Sequence, residues 1–474
     1  MKTLTHGNPL KLIFMFSIPL IIGNVFQQLY SMADALIVGR TIGVNALAAV
    51  GCTGSITFLI LGFINGMTSG LSILAAQKFG SGNEEGVRKS FAVSIMISLV
   101  VTAILTTVAV AGARGMLELL QTPSEIIEDA YAYLVVVFIG IPAIMLFNLL
   151  SNMIRALGDS KTPLYFLILT CIMNVVLDYA LILIFHMGVA GAGVATVFSQ
   201  LVSALLCVGY IWKKLPILKI RRSDFRTNLF ALKEHLKVAV PMGFQMSIIA
   251  IGSLILQFAL NGLGAVSVAA FTAAQKIDTI ATMPVNSFGM AMATYGAQNY
   301  GAGEIGRIKK GVNQCILLSV GFSILMGFIN AMFGRQLTTL FVDPSETEVL
   351  SKSYTYLVVN GCAYSLLALL YIYRFTLQGL GKSFIPTVAG VMELVMRAFT
   401  ALVLTRLFGY EGACFSNPLA WLGACVPLAA AYYIEMRKLG KEVENGGGGR
   451  HKAVRRRGWK SVLQVRCVMR GKSR

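Results

Sequence analysis

The sequence predicts an all-α integral membrane protein of twelve transmembrane helices, arranged as two six-helix bundles related by a parallel internal repeat. Three observations predict it. The 474 residues are 56% hydrophobic and 13% charged, with a mean hydropathy of +0.73, whereas soluble proteins carry roughly 25% charged residues. Runs without a Lys, Arg or Glu, among them 12–33, 91–113, 130–154, 311–334 and 412–434, each reach the ~20 residues a helix needs to cross a bilayer core. The chain also repeats itself at an offset of 221–223 residues.

Apolar length, helix breakers and loop charges place the spans at 12–38, 46–76, 90–112, 129–153, 164–186 and 188–212, then at 238–262, 266–297, 311–334, 353–378, 384–407 and 412–434. The first span follows the polar start 1–11, is longer than a signal-peptide core and contains Asp34, so it is expected to stay in the mature chain. Segment 213–237, with Lys213-Lys214 and Arg221-Arg222, separates the two sets of six as a linker. With both termini cytoplasmic, only Arg40, Arg114, Arg335, Lys352 and Arg406 fall outside, and only Lys276 and Arg397 within spans. The other bases before residue 441 lie at cytoplasmic ends, which the positive-inside rule favours. The organisation is therefore an N-lobe 1–212, the linker 213–237, a C-lobe 238–437 and a basic tail 438–474 with eleven Lys or Arg against two Glu after residue 440.

The repeat pairs Pro19 with Pro241, Ala76-Gln77-Lys78-Phe79-Gly80-Ser81-Gly82 with Ala297-Gln298-Asn299-Tyr300-Gly301-Ala302-Gly303, Tyr133-Leu134 with Tyr356-Leu357, Leu157-Gly158 with Leu380-Gly381 and Gly191-Ala192 with Gly412-Ala413. Six helices, an even number, separate the copies, so both enter the membrane in the same sense. Parallel repeats relate two bundles by an axis along the membrane normal around a shared cleft, as in secondary transporters.

Four carboxylates fall inside spans: Asp34, Asp178, Asp278 and Glu393. Each costs roughly 2.5–3.5 kcal/mol at mid-bilayer, so each should face a partner or a wet cavity. Asn174 and Asp178 share a helix face. Thr196, beside small residues in the next span, would bring a hydroxyl close, and Asp34 would complete the group from the first span. Such hard oxygen donors suit a small hard cation or a proton relay. The structural alternatives are that Asp34 snorkels toward Arg40, that Asp178 only ties helices together, and that Glu393 pairs with Arg397 one turn on. The role of Asp278 stays open. Seven of the eight cysteines lie in apolar stretches and read as packing residues without metal-ligand spacing.

Several segments taken in order make the chain resemble the multidrug and toxin extrusion (MATE) family over residues 8–437: Ile18-Pro19-Leu20 with Gln28, Tyr30, Asp34 and Val38-Gly39-Arg40, then Ala46-Leu47-Ala48-Ala49-Val50-Gly51, Arg155-Ala156-Leu157-Gly158-Asp159-Ser160-Lys161-Thr162-Pro163, and Asn174 to Asp178 before Gly188-Val189-Ala190-Gly191. The resemblance implies a secondary active multidrug exporter of the plasma membrane, antiporting lipophilic or cationic compounds against Na+ or H+ by alternating access. It implies the coupling quartet Asp34, Asn174, Asp178 and Thr196, where Na+ would bind if Na+ is the ion. It puts coupling in the N-lobe, because the acids that another branch uses in the seventh and tenth spans are absent between 238 and 262 and between 354 and 378. Gln28, Tyr30, Tyr133 and Asp278 are the expected cavity residues. The partners expected are the lipid bilayer and small drug-like substrates; no nucleic acid, no cofactor and no second subunit is expected.

The alternative is a flippase for a lipid-linked saccharide or other amphiphile, which would want more intramembrane bases than Lys276 and Arg397. An ATP-driven pump lacks support, since Thr376 stands where the Gly379-Leu380-Gly381-Lys382-Ser383 stretch would need its first P-loop glycine. No hydrolytic triad suggests an enzyme.

Overall fold

The computed structural model describes residues 3–444, which are helical throughout with no strand among them. In chain order the helices are α1 (Pro9–Thr41), α2 (Val44–Gly80), α3 (Glu84–Leu119), α4 (Ile127–Ile139), α5 (Ile141–Ala156), α6 (Lys161–Tyr179) and α7 (Gly188–Lys214). After the linker come α8 (Leu229–Asn261), α9 (Ala265–Gly301), α10 (Ile305–Thr338), α11 (Thr347–Gly379), α12 (Phe384–Phe399), α13 (Thr405–Cys414) and α14 (Ser416–Glu444).

Ten helical stretches are singly long and apolar enough to cross a bilayer, and α4 with α5 forms an eleventh span bent by 48°. The sequence predicts an unbroken helix at 129–153; the break falls at Gly140, where Pro142 at the start of α5 has no N–H to continue the hydrogen-bond ladder of α4, and any side chain on Gly140 would overlap Val197 of α7. The remaining predicted span, 266–297, is α9, whose 37 residues reach about 55 Å. Thr272, Gln275, Lys276 and Thr279 are exposed along it at steps of three and four that keep them on one side. The polar side chains of this half leave α9 outside the helices apolar enough to count as spans among the described residues, and on a membrane-crossing helix such side chains face water rather than lipid. The other half, from Val285 to Asn299, is largely buried.

The repeat is visible in the backbone. Helices α6 and α12 each run into a π-helical turn, Ala180–Ile184 and Thr400–Leu404. Gly82 and Gly303 take φ of 72° and 75°, and Gly188 and Gly409 take 59° and 60°, a left-handed region that glycine enters without a Cβ penalty. Gly409 interrupts α13 and so divides the last two spans.

The lobes meet at the end of the bundle that carries the linker. There α2 and α9 cross so closely that a Cβ on Gly80 would overlap the backbone of Gln298, and one on Gly301 that of Gln77. Alongside, a Cβ on Gly70 of α2 would stand 2.6 Å from Ala239 Cα of α8. The chain start is stitched into the opposite lobe: Leu4 N donates to Gln298 Oε1 at 2.8 Å, and Asn299 Nδ2 donates to Leu4 O at 3.2 Å. Arg307 Nη1 donates to Gly7 O at 3.0 Å. Leu4, Ile13, Phe16 and Leu20 are buried in the same core cluster as Phe288, Tyr295 and Leu377.

The linker forms two short 3-10 turns, Pro216–Leu218 and Arg222–Phe225. Buried Asp224 fastens it by accepting from Arg221 N at 2.8 Å and pairing with Arg88 at 3.6 Å. At the other boundary α14 continues to Glu444, so the tail expected from 438 begins as helix, and the part from 445 onward lies outside the described residues. Cys171, Cys207, Cys315, Cys414 and Cys425 are buried thiols, as packing residues should be, whereas Cys362 is exposed.

Candidate functional site

Helices α1, α6 and α7 converge inside the N-lobe and carry a buried oxygen-rich cluster. Asp34 is 7% exposed, and Asn174 and Asp178 are fully buried. Asp34 of α1 and Asp178 of α6 are thus two buried acids on different helices of one lobe. Two ionised carboxylates repel and have no proton to donate, so a proton or a small cation between such acids would relieve them. One oxygen of each, Asp34 Oδ1 and Asp178 Oδ1, is buried without a partner. Among the described residues neither acid belongs to an ion pair, so the expectation that Asp34 might reach Arg40 is not met.

With its amide turned so that both of its atoms find partners, Asn174 bridges the cluster, donating to Asp178 Oδ2 at 3.1 Å and accepting from Thr196 N at 3.3 Å. Tyr30 donates from its hydroxyl to Thr196 Oγ1 at 2.8 Å. Tyr133 of α4 lies close enough to feel both carboxylates. The local causes are readable. Asn174 and Asp178 are one helical turn apart, the π-helical turn begins two residues later, and such turns are common where a helix must present functional side chains. Gly193 lets α7 approach α4, since a Cβ there would stand 3.0 Å from Val136 Cγ1. Two carboxyls, an amide and hydroxyls form a hard, all-oxygen donor set suited to one small cation or a transferable proton.

The structure thus brings Asp34, Asn174, Asp178, Thr196, Tyr30 and Tyr133 together. It leaves Gln28 half-buried and outside this hydrogen-bonded group. Asp278, expected to line the cavity from the C-lobe, is buried there; Tyr364 donates to its Oδ1 at 2.8 Å and Asn330 Nδ2 donates to Tyr364 at 2.9 Å.

Two further expectations are corrected in the C-lobe. Glu393 pairs with Arg374 of α11 and not with Arg397, while Arg397 Nη1 donates to Ser253 Oγ of α8 at 2.9 Å. The i,i+4 spacing on α12 loses to a base on a neighbouring helix that reaches the same carboxylate. Arg374 had read as a base at the end of a span, yet it is 3% exposed, so the bases within the spans of this lobe are more than Lys276 and Arg397. Its signal was its place between Tyr373 and Phe375 in an apolar stretch.

A family model described as MatE matches residues 19–180 and 241–403, once in each lobe. The chain is 31% identical over 430 residues to the probable multidrug resistance protein YpnP of Bacillus subtilis (strain 168), covering 88% of this chain and 90% of that one. It is 26% identical over 437 residues to an FAD transporter of Shewanella oneidensis, covering 89% and 93%. Among solved structures, the outward-facing conformation of a multidrug resistance MATE family transporter of the MOP superfamily superposes with a TM-score of 0.86 at 23% identity, covering 93% of this chain and 99% of that one.

Proposed function

The chain belongs to the MatE family, and from that premise we propose that it is a secondary active multidrug exporter, moving lipophilic or cationic compounds against an inward flow of Na+ or H+. The observation that carries the coupling is a pair of buried acids on different helices, Asp34 and Asp178, each with an unpartnered oxygen and, among the described residues, no base paired to either. A proton or a cation taken up there would relieve both, so occupancy of the cluster and the position of α1 are linked in this reading.

In this reading the linker end is cytoplasmic, with both termini on that side of the plasma membrane. The wet half of α9 then opens to the exterior, in the state where cargo leaves and the coupling cation enters. Cation held by Asp34, Asp178, Asn174 and Thr196 draws α1 toward α6. Tyr30, bonded to Thr196, moves with α1 and reshapes the wall against which cargo rests. Coupling is then a difference in the affinity of two ligands for linked states. Cargo released outside leaves the cation-loaded form to turn inward.

The experiment is transport by reconstituted vesicles under Na+ and H+ gradients imposed one at a time, with Asp34→Asn as control. One gradient should drive uptake in the wild type and neither in the variant; uptake by Asp34→Asn at the wild-type rate refutes the assignment. A flippase for an anionic amphiphile would be favoured by unneutralised bases. Arg374, which a count of Lys276 and Arg397 misses, is paired with Glu393, which leaves the exporter reading ahead.

A further inference from the structure

The linker between the lobes has a buried side and an exposed side that differ in kind. Leu215, Ile217 and Leu218 are buried in the N-lobe core with Phe91 and Ile154, and Asp224 is fixed by Arg88 and by the backbone of Arg221. Lys213, Lys214, Lys219, Arg221, Arg222 and Arg226 remain outside, all exposed. Asp224 is the one acid in segment 213–230, and its burial removes it from the exposed side. Among the described residues none of the six bases belongs to an ion pair.

Bases on a surface are ordinarily satisfied by water and counter-ions, but two further observations point to a particular partner. Trp212 is 68% exposed and third from the end of α7, a helix long and apolar enough to cross a bilayer. Tryptophan favours the bilayer boundary, where its ring meets acyl chains and its N–H meets headgroups. Lys219 Nζ lies over that ring, 5.6 Å from its centroid, so the linker folds back to set a base beside the residue that ends the span. Phe225, Leu229 and Phe230 are also exposed in the same stretch. Large apolar side chains interleaved with bases suit an interface with anionic lipid, which offers each of them a partner.

We propose that the exposed side of the linker is a docking surface for anionic phospholipid headgroups of the leaflet from which α7 emerges. Lys213, Lys214, Lys219, Arg221 and Arg222 meet the phosphates, and Trp212 sits among the acyl chains beneath them. The attraction of one Lys or Arg to an anionic membrane surface corresponds to a preference of about five-fold. Several bases on one pinned segment combine these preferences, so anionic lipid gathers at the linker beyond its share of the bilayer. The linker is also the covalent joint between the lobes, and lipid held there fixes its depth. The inference needs only that the chain spans a membrane, and it stands whatever cargo or cation is carried.

The test is quenching of Trp212 by lipids brominated on their acyl chains. The full chain is reconstituted into vesicles of phosphatidylglycerol and phosphatidylcholine in equal amounts, with bromine on one lipid or the other. The part of the quenching lost in Trp212→Phe belongs to Trp212 and sets aside Trp421 and Trp459. Brominated phosphatidylglycerol should quench Trp212 at least about two-fold more than brominated phosphatidylcholine. The two should become equal when Lys213→Gln, Lys214→Gln, Lys219→Gln, Arg221→Gln and Arg222→Gln are combined. Equal quenching in the wild type, or an undiminished excess in the five-site variant, overturns the proposal. Should that variant fail to fold, the wild type decides in its place: the excess should shrink as salt rises from about 0.05 M to about 0.5 M, and an excess insensitive to salt does not come from exposed bases and overturns the proposal.

Discussion

Gln77 and Gln298, counterparts in the two repeats, each reach into the opposite lobe and donate to a backbone carbonyl, Gln77 Nε2 to Gly379 O and Gln298 Nε2 to Ala156 O, both at 2.8 Å. The two carbonyls are themselves counterparts at the ends of α11 and α5. With Gly80 and Gly301 permitting the helices to touch, the pair forms a two-fold clasp over the linker end.

Replacing both glutamines by alanine should loosen this end. Each hydrogen bond contributes about 0.5–1.5 kcal/mol, and because Gln298 Oε1 also accepts from Leu4 N three are lost, so the population open at the linker end should rise by a factor of roughly 10 to 2,000. Thiol-reagent labelling of a cysteine placed at Ala76 or Ala297, both buried, reads that population directly. Unchanged labelling means that the glycine contacts alone hold the closure.

Ligand linkage makes the cation cluster visible without transport. A cation at a hundred times its dissociation constant stabilises the state it binds by about 2.7 kcal/mol, so the melting temperature of the wild type should rise with the coupling ion. In Asp34→Asn and Asp178→Asn that rise should vanish. A retained rise places the ion elsewhere.

Breaking the Arg374–Glu393 pair by one substitution strands a charge inside the C-lobe, since both side chains are about 95% buried. Arg374→Met or Glu393→Met should each lower stability by about 3–5 kcal/mol, while the double variant should come close to wild type. Thermal unfolding in detergent of all three checks this. A double variant as unstable as the singles shows that the loss lies in packing and not in charge.

The bend at Gly140 predicts a size conflict with Val197, which adjoins Thr196. Gly140→Leu should cost about 1–3 kcal/mol by overpacking and should slow transport, because the push falls on the helix that carries a cluster oxygen. Adding Val197→Ala should restore part of both losses. If transport falls without any change in stability, the bend acts as a hinge.

The spans and the repeat were legible because the bilayer sets a length and a composition that chance rarely meets, and because the glycines at loops recur at one offset. Asp34 and Asp178 were conspicuous for the same reason: an acid in an apolar run needs an explanation that apolar neighbours do not. What the chain did not disclose depended on its neighbours. Glu393 looked paired within its own helix because spacing along one helix is visible in the order of residues, whereas Arg374 approaches from another. The break at Gly140 was within reach of the sequence, since Pro142 stands two residues on, but the closeness of Val197, fifty-odd positions away, and the bond from the Tyr30 hydroxyl to Thr196 were not. Asp278 was visible as a costly residue of the C-lobe, but the bond it accepts from Tyr364 of another helix was a matter of packing.

The docking of Leu4 and Gly7 onto Gln298, Asn299 and Arg307 has a consequence for biogenesis. A stretch made ahead of α1 has its resting place on two much later helices, so it must wait until α9 and α10 have been made and inserted. That stitch in assembly is thus sewn with an early thread, and a bulky insertion just before α1 should delay maturation in a way that the same insertion after α14 would not.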